Sequence, residues 1–139
     1  MVQVTESEIK DVCSSCPYYV APGHDGVSAG IWRVLAEKSE PVCQVLALLM
    51  SACLRLNMMP TLGKRSIIVP IPKKQNKQMD MSNIRPISLQ AALTKLLSKL
   101  LATRLANILA AHPILHSAQE AFIKNGAISN CIDTWLDVW

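Results

Sequence analysis

"RSIIVPIPKKQNKQMDMSNIRPISLQAALTKLLSKLLATRL", residues 65–105, changes pattern three times, and those changes decide the fold class. Ile67, Ile68, Val69 and Ile71 are β-branched and favour a strand, while Pro70 and Pro72 lack the N–H that a central strand must donate. An edge strand satisfies both facts. The polar run Lys73 to Ser82 comes next, then a short extended piece with Ile84, Ile87 and Leu89, so the pattern predicts a β-hairpin with a long, lysine-bearing tip. From about Gln90 to Ala111, Leu93, Leu96, Leu97, Leu100, Leu101, Leu105, Ile108 and Leu109 recur at helical spacing. Lys95 and Lys99 are expected on the opposite side of that helix. Arg104 projects near the middle of the stripe, where a guanidinium needs a carboxylate, carbonyls or a phosphate. The odd feature is Arg85-Pro86. A cation shortly before a helix, where neutral caps are usual, suggests a role in binding or chemistry, and Pro86 favours extended backbone at Arg85.

Working outward, Thr5-Glu6-Ser7-Glu8 has the form of a capping box and predicts a short helix that fades before Cys13-Ser-Ser-Cys16-Pro17. Ala21 to Gly26 reads as a turn, with Asp25 and Gly26 suited to positive φ. Ser28 to Lys38 predicts a short helix. Pro41 suits the first turn of a longer one running to about Asn57, and its apolar residues fall nearly all round, which predicts burial inside the fold. Ala127 to Trp139 repeats the helical pattern with Trp135 and Trp139 on one stripe, which requires cover from the core or a partner. The fold class is α+β, mostly helical, with a short β-hairpin between helices.

The chain has 139 residues, 50% of them hydrophobic, enough for one domain with a real core. Its net charge of +4 is uneven: residues 1–40 hold six acids and three bases, residues 41–119 one acid and ten bases, and residues 120–139 three acids and one base. So basic a middle segment points to phosphates or nucleic acid. The aromatic content of 4% argues against a module built on base stacking. Five cysteines without a secretory signal point to a reducing, intracellular compartment, nucleus or cytoplasm, and not to a disulfide framework. Cys13 and Cys16 form a C-x-x-C with no second pair to complete a zinc site, so buried or free thiols are expected. Val42 to Leu54 is too short to cross a bilayer. Asp133 and Asp137, one turn apart, read as a solvated helix face and not a metal site.

Three stretches in fixed order add a resemblance: "APGHDGV" at 21–27, "KRSIIVPIPKK" at 64–74 and "NIRPISLQAALTKLLSKLLATRL" at 83–105. Together they resemble the opening motifs of reverse transcriptases of non-LTR (LINE-type) retrotransposons. "QEAFIKNGAISNCI" at 119–132 resembles the Gln-x-Ala-Phe segment that follows them, especially in plant-like members. The similarity runs from Cys16 to Trp135. It implies that residues 1–139 form the fingers and the start of the palm of a right-hand polymerase, with 1–15 as an N-terminal helical extension. It further implies that Arg85 contacts the triphosphate of an incoming nucleotide, helped by Lys73 and Lys74. Lys64, Arg65, Lys77, Lys95, Lys99 and Gln119 would then face nucleic acid, while Arg104, Asp25 and Gly26 would be structural. RNA or DNA is the implied partner, with no membrane, and a missing palm segment or another protein would cover the C-terminal helix. Mg2+ and dNTP are implied for a complete family member and no cofactor for this chain.

The sequence also departs from the family. His24 stands where proline is common, and Asn125-Gly126 stands where Gly-Arg is usual. Two-metal phosphoryl transfer needs clustered carboxylates, yet no Asp-Asp pair occurs anywhere in the chain. The expectation is therefore a reverse-transcriptase fragment with nucleotide-handling residues and no polymerase activity of its own. The competing readings are a non-catalytic RNA- or DNA-binding module and a helical protein-interaction domain.

Overall fold

The computed structural model describes residues 3–73, 83–112, 114–116 and 119. Among them lie four helices and two strands: α1 (Glu6–Ser14), α2 (Ala29–Lys38), α3 (Glu40–Leu56), β1 (Ser66–Pro72), β2 (Ile84–Gln90) and α4 (Ala92–Ala111). The α+β, mostly helical class stands. The chain divides into two compact units, Met1–Ala102 and Thr103–Trp139.

The capping box at α1 forms as its residues dictate. Thr5 Oγ1 accepts from the Glu8 N–H at 3.3 Å, and Glu8 Oε2 accepts from the Thr5 N–H at 2.9 Å. The helix continues through Cys13 and Ser14, past the point where the sequence predicts that it fades. Ile9, Val12 and Cys13 are all buried, and packing of that face prolongs it. Ser28 caps α2, and α3 opens with Pro41 in its first turn and closes on Asn57 in the left-handed region at φ 50°.

The three helices pack on one another around Ile9, Cys13, Ala36, Cys43, Leu46 and Met50, and α4 adds Ala92, Leu96 and Leu100. The expectation that α3 is buried all round is not met. Cys43, Leu46, Ala47, Met50 and Ser51 face the core, while Val45, Leu48 and Leu56 are 63%, 70% and 68% exposed. Apolar composition shows that a helix can be buried, not that neighbours exist on every side. Along α4, Leu101, Leu105 and Ile108 are likewise exposed, and the last buried residue is Leu100.

Among the described residues β1 and β2 pair antiparallel and only with each other, so both are edges there, as the prolines predict. Pro70 stands opposite Pro86, and Ile71 opposite Arg85. The Lys73 N–H donates to Asn83 O at 2.8 Å, which makes 73/83 a hydrogen-bonded rung. By alternation the 71/85 rung is also bonded and the 70/86 and 72/84 rungs are not. Every proline in the ladder therefore sits where its missing N–H would have pointed outward.

Candidate functional site

Arg85 is exposed on β2 and lies in the strand, as its Pro86 neighbour demands. Residues directly opposite on antiparallel strands share a sheet face, as do residues two apart. Ile71, Lys73 and Arg85 therefore share a face, with Lys73 diagonal to Arg85 at the end of the ladder next to the 74–82 connection. Diagonal neighbours are separated by roughly 7–8 Å. The same face carries Val69 and Ile87, so the two cations stand on an aliphatic platform. Lys64 and Arg65 are exposed just before β1. Lys74 and Lys77 lie outside the described residues.

What positions this hairpin on α4 is the turn at 21–26. The Gly26 N–H donates to Gly23 O at 3.1 Å, closing the turn, and Gly26 has φ 67°, as its sequence position suggests. Asp25 does not have positive φ, contrary to expectation. Its carboxylate instead joins two distant segments, since Oδ1 accepts from the Val27 N–H at 3.3 Å and Oδ2 accepts from the Ala92 N–H at 3.2 Å. Ala92 is the first residue of α4, so Asp25 caps that helix from 67 residues away. Gly23 lies against the same junction. A Cβ there would collide with the Gln90 carbonyl and come within 2.7 Å of Ala91 N, so no side chain fits. The turn thus clasps the point where β2 becomes α4, five residues after Arg85 in β2.

A second cationic group surrounds the link between α1 and α2. Lys99 Nζ donates to Ser15 O at 2.7 Å, Lys95 Nζ to Ala21 O at 3.3 Å, and Arg33 Nη1 to Cys16 O at 3.1 Å. Lys95 and Lys99 are half-buried against this link instead of standing clear on a far side of α4. Arg33 also pairs with Glu37 at 3.0 Å and stacks its guanidinium 4.1 Å from the centre of the Tyr18 ring. The Glu37 hydrogen bond raises its pKa further above the ordinary value. Sequence reasoning passed over Arg33, Tyr18 and Tyr19; the available signal was the adjacent aromatic pair after Pro17 in a segment without helical periodicity.

Arg104 is half-buried, and Gln119 is exposed with its N–H donating to His116 O at 2.9 Å. Cys13, Cys16 and Cys43 are buried free thiols, and Cys53 is a half-buried one. Burial first, and then the neighbouring Cys16 and Cys43, push the Cys13 thiol up to about 11. Among the described residues, no three His, Cys, Asp or Glu side chains gather as a metal site would require, and no helix is long and apolar enough to cross a membrane.

The chain is 32% identical over 115 residues to the probable RNA-directed DNA polymerase from transposon BS of Drosophila melanogaster, a match covering 83% of this chain and 12% of the relative. The chain resembles non-LTR retrotransposon reverse transcriptases over most of its length. The RNA-directed DNA polymerase from mobile element jockey of the same fly is 30% identical over 102 residues, covering 73% of this chain and 11% of the relative. The probable RNA-directed DNA polymerase from transposon X-element, also of that fly, is 29% identical over 102 residues with the same shares. No family model matches. This reverse-transcriptase-like segment spans about an eighth of the length of the first of these curated relatives, by the 12% share above.

Proposed function

We propose that the chain is the fingers portion, with the start of the palm, of a retrotransposon reverse transcriptase, and that its hairpin holds the phosphates of an incoming nucleotide. The observation that carries this reading is the placement of Arg85 and Lys73 on one sheet face at the end of the ladder next to the 74–82 connection. Arg85 donates a fork of N–H groups that matches phosphate oxygens in pairs, and Lys73 adds a compact charge beside it. The aliphatic platform of Ile71 and Ile87 leaves both cations on a surface of low polarity, where their attraction for phosphate is stronger than in open water. The Asp25 clasp keeps this pair in fixed register with α4.

In this reading the described residues supply charge and position. Among them no three His, Cys, Asp or Glu side chains gather as a metal site would require, so the ligands of a metal ion that neutralises developing charge in phosphoryl transfer are not found among them. RNA and DNA are the partners that follow from the reading, and the charge of residues 41–119 supports it.

Filter-binding titration of the wild type and of a Lys73→Ala, Lys74→Ala, Arg85→Ala variant, with dTTP and with a twelve-nucleotide dT strand, tests this. The variant should bind both more weakly, and its salt slope for the strand should fall by about 2, since each single-strand phosphate contact contributes roughly 0.7. An unchanged slope and unchanged dTTP affinity would sink the reading.

A further inference from the structure

We propose that the first unit binds a small aromatic amine, with the ring in a cavity between α2, α3 and α4 and the ammonium on Asp25. The cavity has a volume of about 390 Å3, at the small end of the roughly 300–1,000 Å3 usual for ligand pockets. Trp32 lines it from α2, Met50 and Cys53 from α3, Met59 from the stretch before β1 and Leu97 from α4, while Asp25 lines it from the 21–26 turn.

The walls say what body fits. Two thioethers, a thiol and an indole are soft, polarisable surfaces, and contacts of sulfur or of a ring with an aromatic ring are favourable. An empty space of this size forfeits the dispersion contacts that its lining could make. Water fills it poorly, because a buried water needs two to four polar partners and the side chains lining this cavity are almost all apolar.

The charge says what that body must carry. Among the described residues that line the cavity, Asp25 alone is charged. Its carboxylate is exposed, and Oδ1 and Oδ2 each accept one N–H, from Val27 and from Ala92, so each oxygen keeps a further acceptor position. The ion pairs among the described residues are Lys10–Glu40 and Arg33–Glu37, so no cation among them neutralises Asp25. An ammonium group is attracted there and a phosphate repelled. That sign sets the cavity apart from the basic hairpin and makes the inference independent of the nucleotide reading. Ala91, at the junction of β2 and α4, lines the same cavity, so a ligand seated in it also braces the clasp.

Titration of the full chain with naphthylmethylamine, charged at neutral pH, and with its uncharged counterpart naphthylmethanol tests the proposal, read from the indole N–H signals in proton–nitrogen correlation spectra. The signal that Trp32→Phe removes belongs to Trp32, and it should shift with both compounds. The amine should bind about fivefold more tightly than the alcohol, the worth of a partly exposed ion pair, and added salt should narrow the gap. Asp25→Asn keeps an acceptor for the clasp and should bring the amine to the affinity of the alcohol, whose retained binding shows that the cavity is intact. Should Asp25→Asn unfold, the wild-type ratio of the two affinities and its salt dependence decide. Cys53→Phe fills the cavity and should abolish binding of both. A Trp32 signal that moves with neither compound, equal wild-type affinities for amine and alcohol, or undiminished binding in Cys53→Phe overturns the site.

Discussion

Position 24 shows how one residue can be out of keeping with its own turn. The Gly26-to-Gly23 hydrogen bond makes His24 the second residue of a four-residue turn, the place where proline's fixed φ fits best. Both of its ring nitrogens are buried without a hydrogen-bond partner. A buried unsatisfied polar group costs about 1–3 kcal/mol, and proline, common there in the family that the chain resembles, has no such group. His24→Pro should therefore raise stability by roughly 1–2 kcal/mol, from the removed polar atoms and a stiffer unfolded chain. Asp25→Ala should act in the opposite sense, by about 1–2 kcal/mol, because the Ala92 and Val27 N–H groups lose their acceptor. Urea unfolding of both variants checks the pair; equal midpoints would refute the account of the clasp. Gly26's role was legible in the sequence, since positive φ is a local property. Asp25's was not: its partner lies 67 residues away, and no local pattern points there.

At the scale of elements, the sequence was most informative where backbone chemistry is absolute. Prolines at 70, 72 and 86 permit only an edge ladder with bonded rungs at the odd positions between them, and that ladder is what forms. It was least informative where burial depends on what lies opposite. α3 has apolar residues on nearly every side, yet only the Cys43, Leu46, Ala47, Met50 and Ser51 face is buried. Met50 sits among core side chains at 2% exposure, so Met50→Ala should cost about 2–5 kcal/mol. Leu48, almost opposite on the same helix, should tolerate Ser with a change within about 0.5 kcal/mol. Thermal melts of the two variants measure the asymmetry. A comparable loss from Leu48→Ser would mean that α3 is covered on both sides in solution. The candidate site divides in the same manner: Arg85 and Lys73 follow from motif and strand parity, whereas the Arg33, Lys95 and Lys99 grip on the α1–α2 link depends on α4 crossing a segment distant in sequence.

Across the whole first unit, the helices meet on a core that includes the thiols of Cys13, Cys16 and Cys43, and this makes stability sensitive to alkali. Cys13 is 1% exposed, and burial, followed by the neighbouring Cys16 and Cys43, lifts its pKa from the ordinary 9.0 to about 11. A folded-state pKa above the unfolded one means that the native state holds the proton more tightly. The stabilisation linked to it is complete below about pH 9 and is lost as the pH climbs toward 11, because the unfolded chain ionises first. Two units correspond to roughly 2–3 kcal/mol. Lysine and tyrosine titrations in the same range act on the wild type and on a Cys13→Ala variant alike, so the difference between them isolates the thiol. Chemical denaturation at intervals from about pH 8 to 11, under reducing conditions, should show wild-type stability falling more steeply than that of Cys13→Ala. Parallel pH profiles would mean that Cys13 ionises as readily in the folded core as in the unfolded chain, and that the three helices do not close over it.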